Sequence, residues 1–263
     1  MRTAIITGGG SGLGRELAKA WSARDWRVVV TDMDAEAAAQ TCTLLEQPTR
    51  HLNAALDVTQ TEHFSALCDT LTRDNISVDV VVNNAGIACA GRLNATPLEH
   101  WDRVLDVNLL GVVRGCRAFE PLLAANGGGH IVNIASFAGI ANAPAMATYN
   151  VAKAGVVSLS ETLLTELAGK NIGVTVVCPS FFQTNLLDRA EGFGIDLQTL
   201  GGKLMAASNI DAADVANAII ESVENKRFMC IPHRDARWLY RLKRWAPNTF
   251  AKNMLSRSRR LLR

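Results

Sequence analysis

Short β-branched runs alternate with helical stretches along almost the whole chain, and that alternation constrains the fold more than any other feature of the sequence. The runs fall at 3–7, 27–31, 52–56, 78–83, 130–135, 173–178 and 227–232. Unbroken triplets such as Val28-Val29-Val30 and Val80-Val81-Val82 suit strands buried on both faces, as in a parallel sheet. Helical stretches lie between them at 12–24, 34–46, 59–73, 97–124, 148–170 and 211–225. In the first, Leu13, Leu17, Ala20 and Trp21 share one face. Asp34 and Pro97 stand where an N-cap and a first helical turn belong. The pattern predicts an α/β fold, a single Rossmann-type doubly wound domain over 1–234 with about seven parallel strands and helices on both faces. An irregular insertion at 181–208 interrupts it, and a tail at 235–263 follows.

A chain of 263 residues, 48% apolar and 20% charged, buries a core without disulfides or a structural metal. Its six cysteines are scattered with no C-x-x-C pair, and its five histidines include no i, i+4 pair. Neither pattern supports a disulfide framework or a zinc or iron site, so no metal is expected. No run approaches a membrane span, and Met1 leads into the first strand without a basic and an apolar leader region. The expectation is a soluble, cytoplasmic protein.

The net charge of +2 hides an asymmetry: residues 226–263 hold 12 Lys and Arg against one acid, Asp235, whereas residues 1–225 hold 15 against 24 acids. The tail reads as two amphipathic helices broken at Pro247. Its first helix has Trp238, Leu239, Leu242 and Trp245 on one face and Arg237, Arg241 and Arg244 on the other. Such a basic, Trp-bearing helix suits an anionic membrane surface; packing on a partner subunit and a solvated tail are the alternatives. Nucleic acid is not an expected partner, because the body is acidic and has no DNA-binding motif.

The first run ends in Thr7-Gly8-Gly9-Gly10-Ser11-Gly12-Leu13-Gly14 and feeds directly into a helix. Unpaired N–H groups at a helix N-terminus, with glycines that let a pyrophosphate approach, make Gly8, Ser11, Gly12, Leu13 and Gly14 candidates for a dinucleotide site. Their G-x-x-x-G-x-G spacing differs from G-x-G-x-x-G, though the physics is shared. Asp32 closes the second strand about 18 residues later, where a carboxylate accepts from adenosine ribose hydroxyls and repels a 2′-phosphate. With no Lys or Arg at Ser11, Met33 or Asp34, turn and acid together read as NAD in preference to NADP.

Tyr149 and Lys153 are i, i+4 on a helix and so share a face. A nearby ammonium favours phenolate, and the expectation is that Lys153 lowers the Tyr149 pKa enough for general acid and base work. Ser136 ends the fifth strand at the carboxyl edge of the sheet, where its hydroxyl can bond a substrate oxygen. Asn108 is a helix-disfavoured amide inside an apolar helical stretch.

These residues come in a set order: the turn at 7–14, Asp57-Val58, Asn83-Asn84-Ala85-Gly86, Asn108, Ser136, Tyr149-x-x-x-Lys153, and Pro179 with Thr184. In that order the chain resembles the short-chain dehydrogenase/reductase family, from residue 3 to about 232. The resemblance implies an oxidoreductase interconverting an alcohol and its carbonyl, with Asn108, Ser136, Tyr149 and Lys153 as its catalytic set. It gives Asn108 a backbone irregularity and a water contact that joins Lys153 to a proton relay. It places Asp57 and Val58 at the adenine, and makes Asn83 and Asn84 strand-end amides that brace the sheet and approach the adenosine ribose. It adds Ala85 and Gly86 to the cofactor contacts, and sets Pro179 near the carboxamide and the Thr184 hydroxyl at the carboxamide or a phosphate.

One departure is visible: Pro179-Ser180 stands where the family usually has Pro-Gly, and Ser180 fits only with a negative φ. By analogy the chain forms a homodimer or homotetramer through the helices at 97–124 and 148–170. Substrate choice falls to Ser136, Phe137, Ala138, the stretch 141–147, Tyr149, Phe181, Phe182 and the mostly apolar loop at 185–208. The loop includes Met205, has Arg189 and Lys203 as its basic candidates, and carries glycines that suit a lid. That set suggests a small apolar alcohol or ketone. The rivals are an NADP-dependent ketoacyl-type reductase and, in another class, a dinucleotide-binding scaffold or sensor that docks through its tail.

Overall fold

The computed structural model describes residues 1–183, 191–193, 205 and 208–261. Seven parallel strands form the central sheet: β1 (Thr3–Thr7), β2 (Arg27–Asp32), β3 (Leu52–Ala55), β4 (Val80–Asn83), β6 (Gly129–Ile134), β7 (Ile172–Val177) and β9 (Met229–Cys230). Their spatial order is β3-β2-β1-β4-β6-β7-β9, so the chain winds outward in both directions from β1 and β4. All seven runs read from the sequence are strands, although only Met229 and Cys230 of 227–232 pair, at the sheet edge.

Both faces of the sheet are buried. Ile5, Val29, Val81 and Ile131 face one core with Phe64 of α3 (Thr61–Arg73), Phe119 of α5 (Gly111–Ala125) and Val156 of α7 (Ala147–Glu166). Ile6, Val28, Val30 and Val82 face the other, with Leu17 and Trp21 of α1 (Gly12–Ser22) and Ile219 of α8 (Ala212–Glu224). Alternate valines of one triplet thus enter opposite cores, which is why the run is unbroken. Asp34 caps α2 (Ala35–Thr43), its carboxylate accepting from the N–H groups of Glu36 and Ala37 at 3.1 Å each.

Three features depart from the sequence reading. The stretch 97–124 is not one helix: α4 (Leu98–Leu105) and α5 are joined by a π turn at Asp106–Leu110, where the Gly111 N–H reaches back to the Asp106 carbonyl. The insertion at 181–208 is not wholly irregular, because β8 (Glu191–Phe193) pairs in parallel with β5 (Cys89–Gly91) in a separate small sheet. Strands of three residues carry too little periodicity to be seen.

The tail does form two helices that break at Pro247, α9 (Arg234–Trp245) and α10 (Pro247–Leu261), but the inward face differs. Ala236 is buried and Leu239 and Tyr240 pack on the core, while Trp238 and Trp245 are 60% and 86% exposed. Small Ala236 lets the helix seat closely, and that choice turns both tryptophans outward. All six cysteines are free thiols. Among the described residues no helix is long and apolar enough to cross a membrane, and no cluster of His, Cys, Asp and Glu could hold a metal.

Candidate active site

The turn after β1 is shaped by close contacts that only glycine allows. Gly8 has φ +64°, and a Cβ there would lie 2.8 Å from the Ala85 Cα. A Cβ on Gly14 would lie 2.1 Å from the Gly8 carbonyl oxygen, so Gly14 seats α1 against its own turn. Asn84 braces the same turn, its amide donating to the carbonyls of Thr7 (2.9 Å) and Gly8 (3.0 Å). The Thr7 hydroxyl accepts from the N–H groups of Asn84 (3.0 Å) and Ala85 (3.1 Å). The Ser11 side chain makes no capping bond at the start of α1. Asp32 accepts from the Gly10 N–H at 3.0 Å and from the Asp34 N–H at 3.1 Å, which fixes its carboxylate at the end of β2. Arg15, the first basic residue after the turn, bonds the Gly10 carbonyl, Thr41 and Gln40.

A cavity of about 670 Å³ runs along the carboxyl ends of β2, β1, β4, β6 and β7. Five neighbouring strand ends span about 19 Å at the usual spacing, enough for an extended dinucleotide. The cavity brings together Gly8, Ser11, Gly12, Leu13, Asp32, Asp57, Val58, Asn84, Ala85, Gly86, Ser136, Phe137, Ala138, Tyr149, Lys153, Pro179, Phe181 and Phe182. Gly14 and Asn108 lie behind its wall, Arg15 does not line it, and Thr184 falls outside the described residues.

The structure adds lining residues that the sequence did not single out, among them Arg103 of α4 and Cys89. Met146, in the stretch 141–147, and Met205, in the loop, line the wall as the sequence reading expected and pack on Ala88 and Ala90. Of these four only Arg103 is basic, and Arg189 and Lys203, the basic candidates of the loop, lie outside the described residues. No motif marks Arg103.

The four polar residues named for catalysis converge beyond β4 and β6. Tyr149 is buried, and burial pushes its phenol up to about 12 while the Ser136 hydroxyl draws it partly back. Lys153 is buried too; loss of water pulls its ammonium down to about 8, and Nζ donates to the Ile134 carbonyl at 2.9 Å. Its Nζ stands 5.8 Å from the Tyr149 ring centre. Burial, not the neighbouring ammonium, therefore dominates the phenol in this structure, contrary to the sequence expectation. Ser136 also accepts from the Ala138 N–H at 3.1 Å, so it serves as a turn residue as well.

Asn108 is fully buried in the π turn, and its amide clamps Ile87 on both sides, accepting from N–H at 2.8 Å and donating to C=O at 2.9 Å. The irregular backbone is present, but the side chain is committed to Ile87. A Cβ on Gly86 would meet Asn108 Oδ1 at 3.0 Å and Lys153 Nζ at 3.6 Å, so Gly86 fills the gap between them.

Ser180 is absent from the residues with positive φ, as the Pro-Ser departure required. Its N–H donates to His233 Nδ1 at 3.1 Å, and His233 Nε2 bonds the Phe181 carbonyl at 3.1 Å. His233 thus ties the start of α9 to the turn after β7. The sequence reading missed it because nothing local distinguishes a lone histidine 53 residues away from its partner.

These residues fit a nicotinamide dinucleotide: an acid at the β2 end, open N–H groups at the start of α1, and acid–base side chains at the β6 end. The family described as short chain dehydrogenase matches residues 2–192. The chain is 36% identical over 253 residues to "Probable oxidoreductase EphD" of Mycobacterium tuberculosis, covering 92% of this chain and 43% of that protein. It therefore spans less than half the length of that relative. A short chain dehydrogenase/reductase from Burkholderia phymatum, solved in complex with NAD, is 31% identical with a TM-score of 0.86 over 92% of both chains. A short-chain dehydrogenase from Sphingobium yanoikuyae, solved in complex with NADPH, is 27% identical with a TM-score of 0.78, over 97% of this chain and 95% of that one.

Proposed function

The chain belongs to the short-chain dehydrogenase/reductase family, and on that premise we propose that it is an NAD-dependent oxidoreductase acting on a small apolar alcohol and its carbonyl, with Tyr149 as general acid and base. The observation that carries the reading is one cavity with Asp32 at one end and Ser136, Tyr149 and Lys153 at the other. Asp32 favours two free ribose hydroxyls over a 2′-phosphate, and Arg15 is turned to Gly10, Thr41 and Gln40 instead of the cavity. When bound, the nicotinamide supplies or accepts the hydride.

The protein's own part is to hold the substrate oxygen and move a proton. Ser136 and Tyr149 donate to that oxygen, and in reduction the phenolic proton passes to it as the carbonyl becomes an alcohol. In oxidation the phenolate takes the proton back. Lys153 offsets the phenolate charge, and the π turn at Asn108 holds Gly86 and Ile87 beside it; a proton relay through this region is part of the proposal. Phe137, Phe181, Phe182, Met146 and Met205 give the substrate end its apolar character.

In the same reading the chain works as a homodimer or homotetramer. Leu98 (76% exposed) in α4 and Val151 (50% exposed) in α7 offer apolar contacts on the two helices concerned. A basic C-terminal segment in peripheral contact with a membrane completes the proposal.

Titration with NADH and NADPH, followed by fluorescence transfer from Trp21 and Trp26 to the nicotinamide, tests the cofactor assignment. NADH is expected to bind at least tenfold tighter, and Asp32→Ala to erase the preference. Tighter NADPH binding would favour the ketoacyl-type reductase, and binding of neither would favour the scaffold.

A further inference from the structure

The outer face of α9 is a second feature of the surface, outside the cavity and not used by the chemistry. Arg234, Trp238, Arg241 and Trp245 lie at i, i+4, i+7 and i+11 and form one exposed stripe, with Arg237 and Arg244 on its flank. The two tryptophans are 60% and 86% exposed. Arg234, Arg241 and Arg244 form no ion pair with any described residue. The helix itself is firmly held from behind. Ala236 is buried, Leu239 and Tyr240 pack on the core, and Lys243 Nζ donates to the Ile140 carbonyl and lies 5.8 Å from the Phe250 ring. The stripe is thus a fixed face without a partner among the described residues, and not a helix in the wrong register.

We propose that this Arg–Trp stripe docks the protein on an anionic membrane surface. Indole rings settle at headgroup depth, with the ring in the apolar boundary and N–H toward water, and guanidinium groups meet lipid phosphates there. The tryptophans are about 10 Å apart along the axis, so a helix lying flat brings both to one depth. Charge decides between partners. A two-fold contact of the stripe with itself would set arginine against arginine, whereas an anionic bilayer complements every charge on it. The helix α10, which packs on α9, carries further basic residues in its sequence, Lys252, Arg257, Arg259 and Arg260. Because α9 braces α6 (Ala138–Ala141), and Ala138 and Ala141 line the cavity, docking holds the cleft wall one helix away from the lipid. That location suits a substrate that partitions into the bilayer.

The test is co-sedimentation of the full chain with vesicles of phosphatidylcholine alone or mixed equally with phosphatidylglycerol. Binding is expected on the mixed vesicles, weakening steeply with salt, and at least tenfold weaker on phosphatidylcholine alone. Near the surface each arginine contributes about fivefold in partition, so Arg241→Glu is expected to lose more than about tenfold. The double variant Trp238→Ser, Trp245→Ser is expected to lose about tenfold or more while keeping wild-type NADH binding and activity in solution, since neither ring touches the cavity. The proposal is overturned if the wild type stays in the supernatant at low salt, or if the variants bind vesicles as well as the wild type. It is equally overturned if the variants alter the oligomeric state while vesicle binding is absent, which would make the stripe a contact between copies. Retained NADH binding in any of these cases leaves the oxidoreductase reading standing.

Discussion

Tyr149 sits where burial and hydrogen bonding oppose each other. With its phenol up at about 12, the neutral form prevails near pH 7, so in the proposed mechanism a proton is ready for carbonyl reduction while the base needed for oxidation is scarce. The sign follows directly: phenolate grows about tenfold per pH unit below that pKa. Alcohol oxidation is therefore expected to climb from about pH 7 to about pH 10, and reduction is not; initial rates in both directions measure it. Tyr149→Phe is expected to lower kcat/KM by about 10²–10⁴ in both directions with NADH affinity within about twofold of wild type. A variant that kept a tenth of the activity would remove Tyr149 from the role. Lys153 adds a second constraint, since an ammonium near 8 is part neutral in the alkaline range.

At the scale of elements, the π turn between α4 and α5 earns its irregularity by what it holds. Its Asp106 pairs with Arg114 at 2.7 Å, Arg114 donates to the Val58 carbonyl at 3.1 Å, and Asn108 clamps Ile87. One distorted turn thus links the loop after β3 to the loop after β4, both of which line the cavity. Asn108→Ala would leave the part-buried Ile87 N–H and C=O without their side-chain partner, a cost of about 1–3 kcal/mol. The melting temperature is expected to fall by roughly 5–10 °C, with activity lost beyond what unfolding explains. An unchanged melting curve would show that the clamp is not needed.

This element also marks the limit of what the sequence discloses. The amide at 108 was visibly out of place in a helix, but the π geometry that accommodates it depends on a partner 21 residues away. Strands were legible because both-face burial writes itself as unbroken valine triplets. The turn at 7–14, Asp32 and the Tyr149–Lys153 pair were legible because short-range spacing carries their chemistry. Arg103 and His233 were not, since Arg103 reaches the cavity, and His233 the turn after β7, only through the packing of another element. The orientation of α9 was misread for a related reason: amphipathic spacing gives faces, but small Ala236 decided which one went in.

For the molecule as a whole, three buried histidines set the acid limit of stability. His51 accepts from the Val28 N–H at 3.0 Å, His130 bonds Thr175 at 2.7 Å, and His233 accepts from Ser180. Burial lowers the pKa of all three, that of His130 to about 4 from 6.5. A depressed histidine pKa means that the unfolded chain binds more protons below about 6.5, so stability is full above that value and falls as pH drops toward 4. His130 alone accounts for about 2 kcal/mol between pH 7 and pH 5. Urea midpoints are expected to fall accordingly, and equal midpoints at the two pH values would refute the assignment. Burial holds His233 neutral in the same way, so the turn at Ser180 and Phe181 is expected to loosen on acidification.

The sheet order has a consequence for the chain during its synthesis. β1 is made first yet stands between β2 and β4, and the Thr3 N–H that docks on Asp79 must wait for a residue 76 positions later. Until β4 emerges, one edge of the apolar strand Ala4–Ile5–Ile6 has no neighbour, and the same residues that anchor the finished core form a bare template for pairing with another nascent chain. The most buried strand of the protein is therefore the one most in need of shelter on the ribosome.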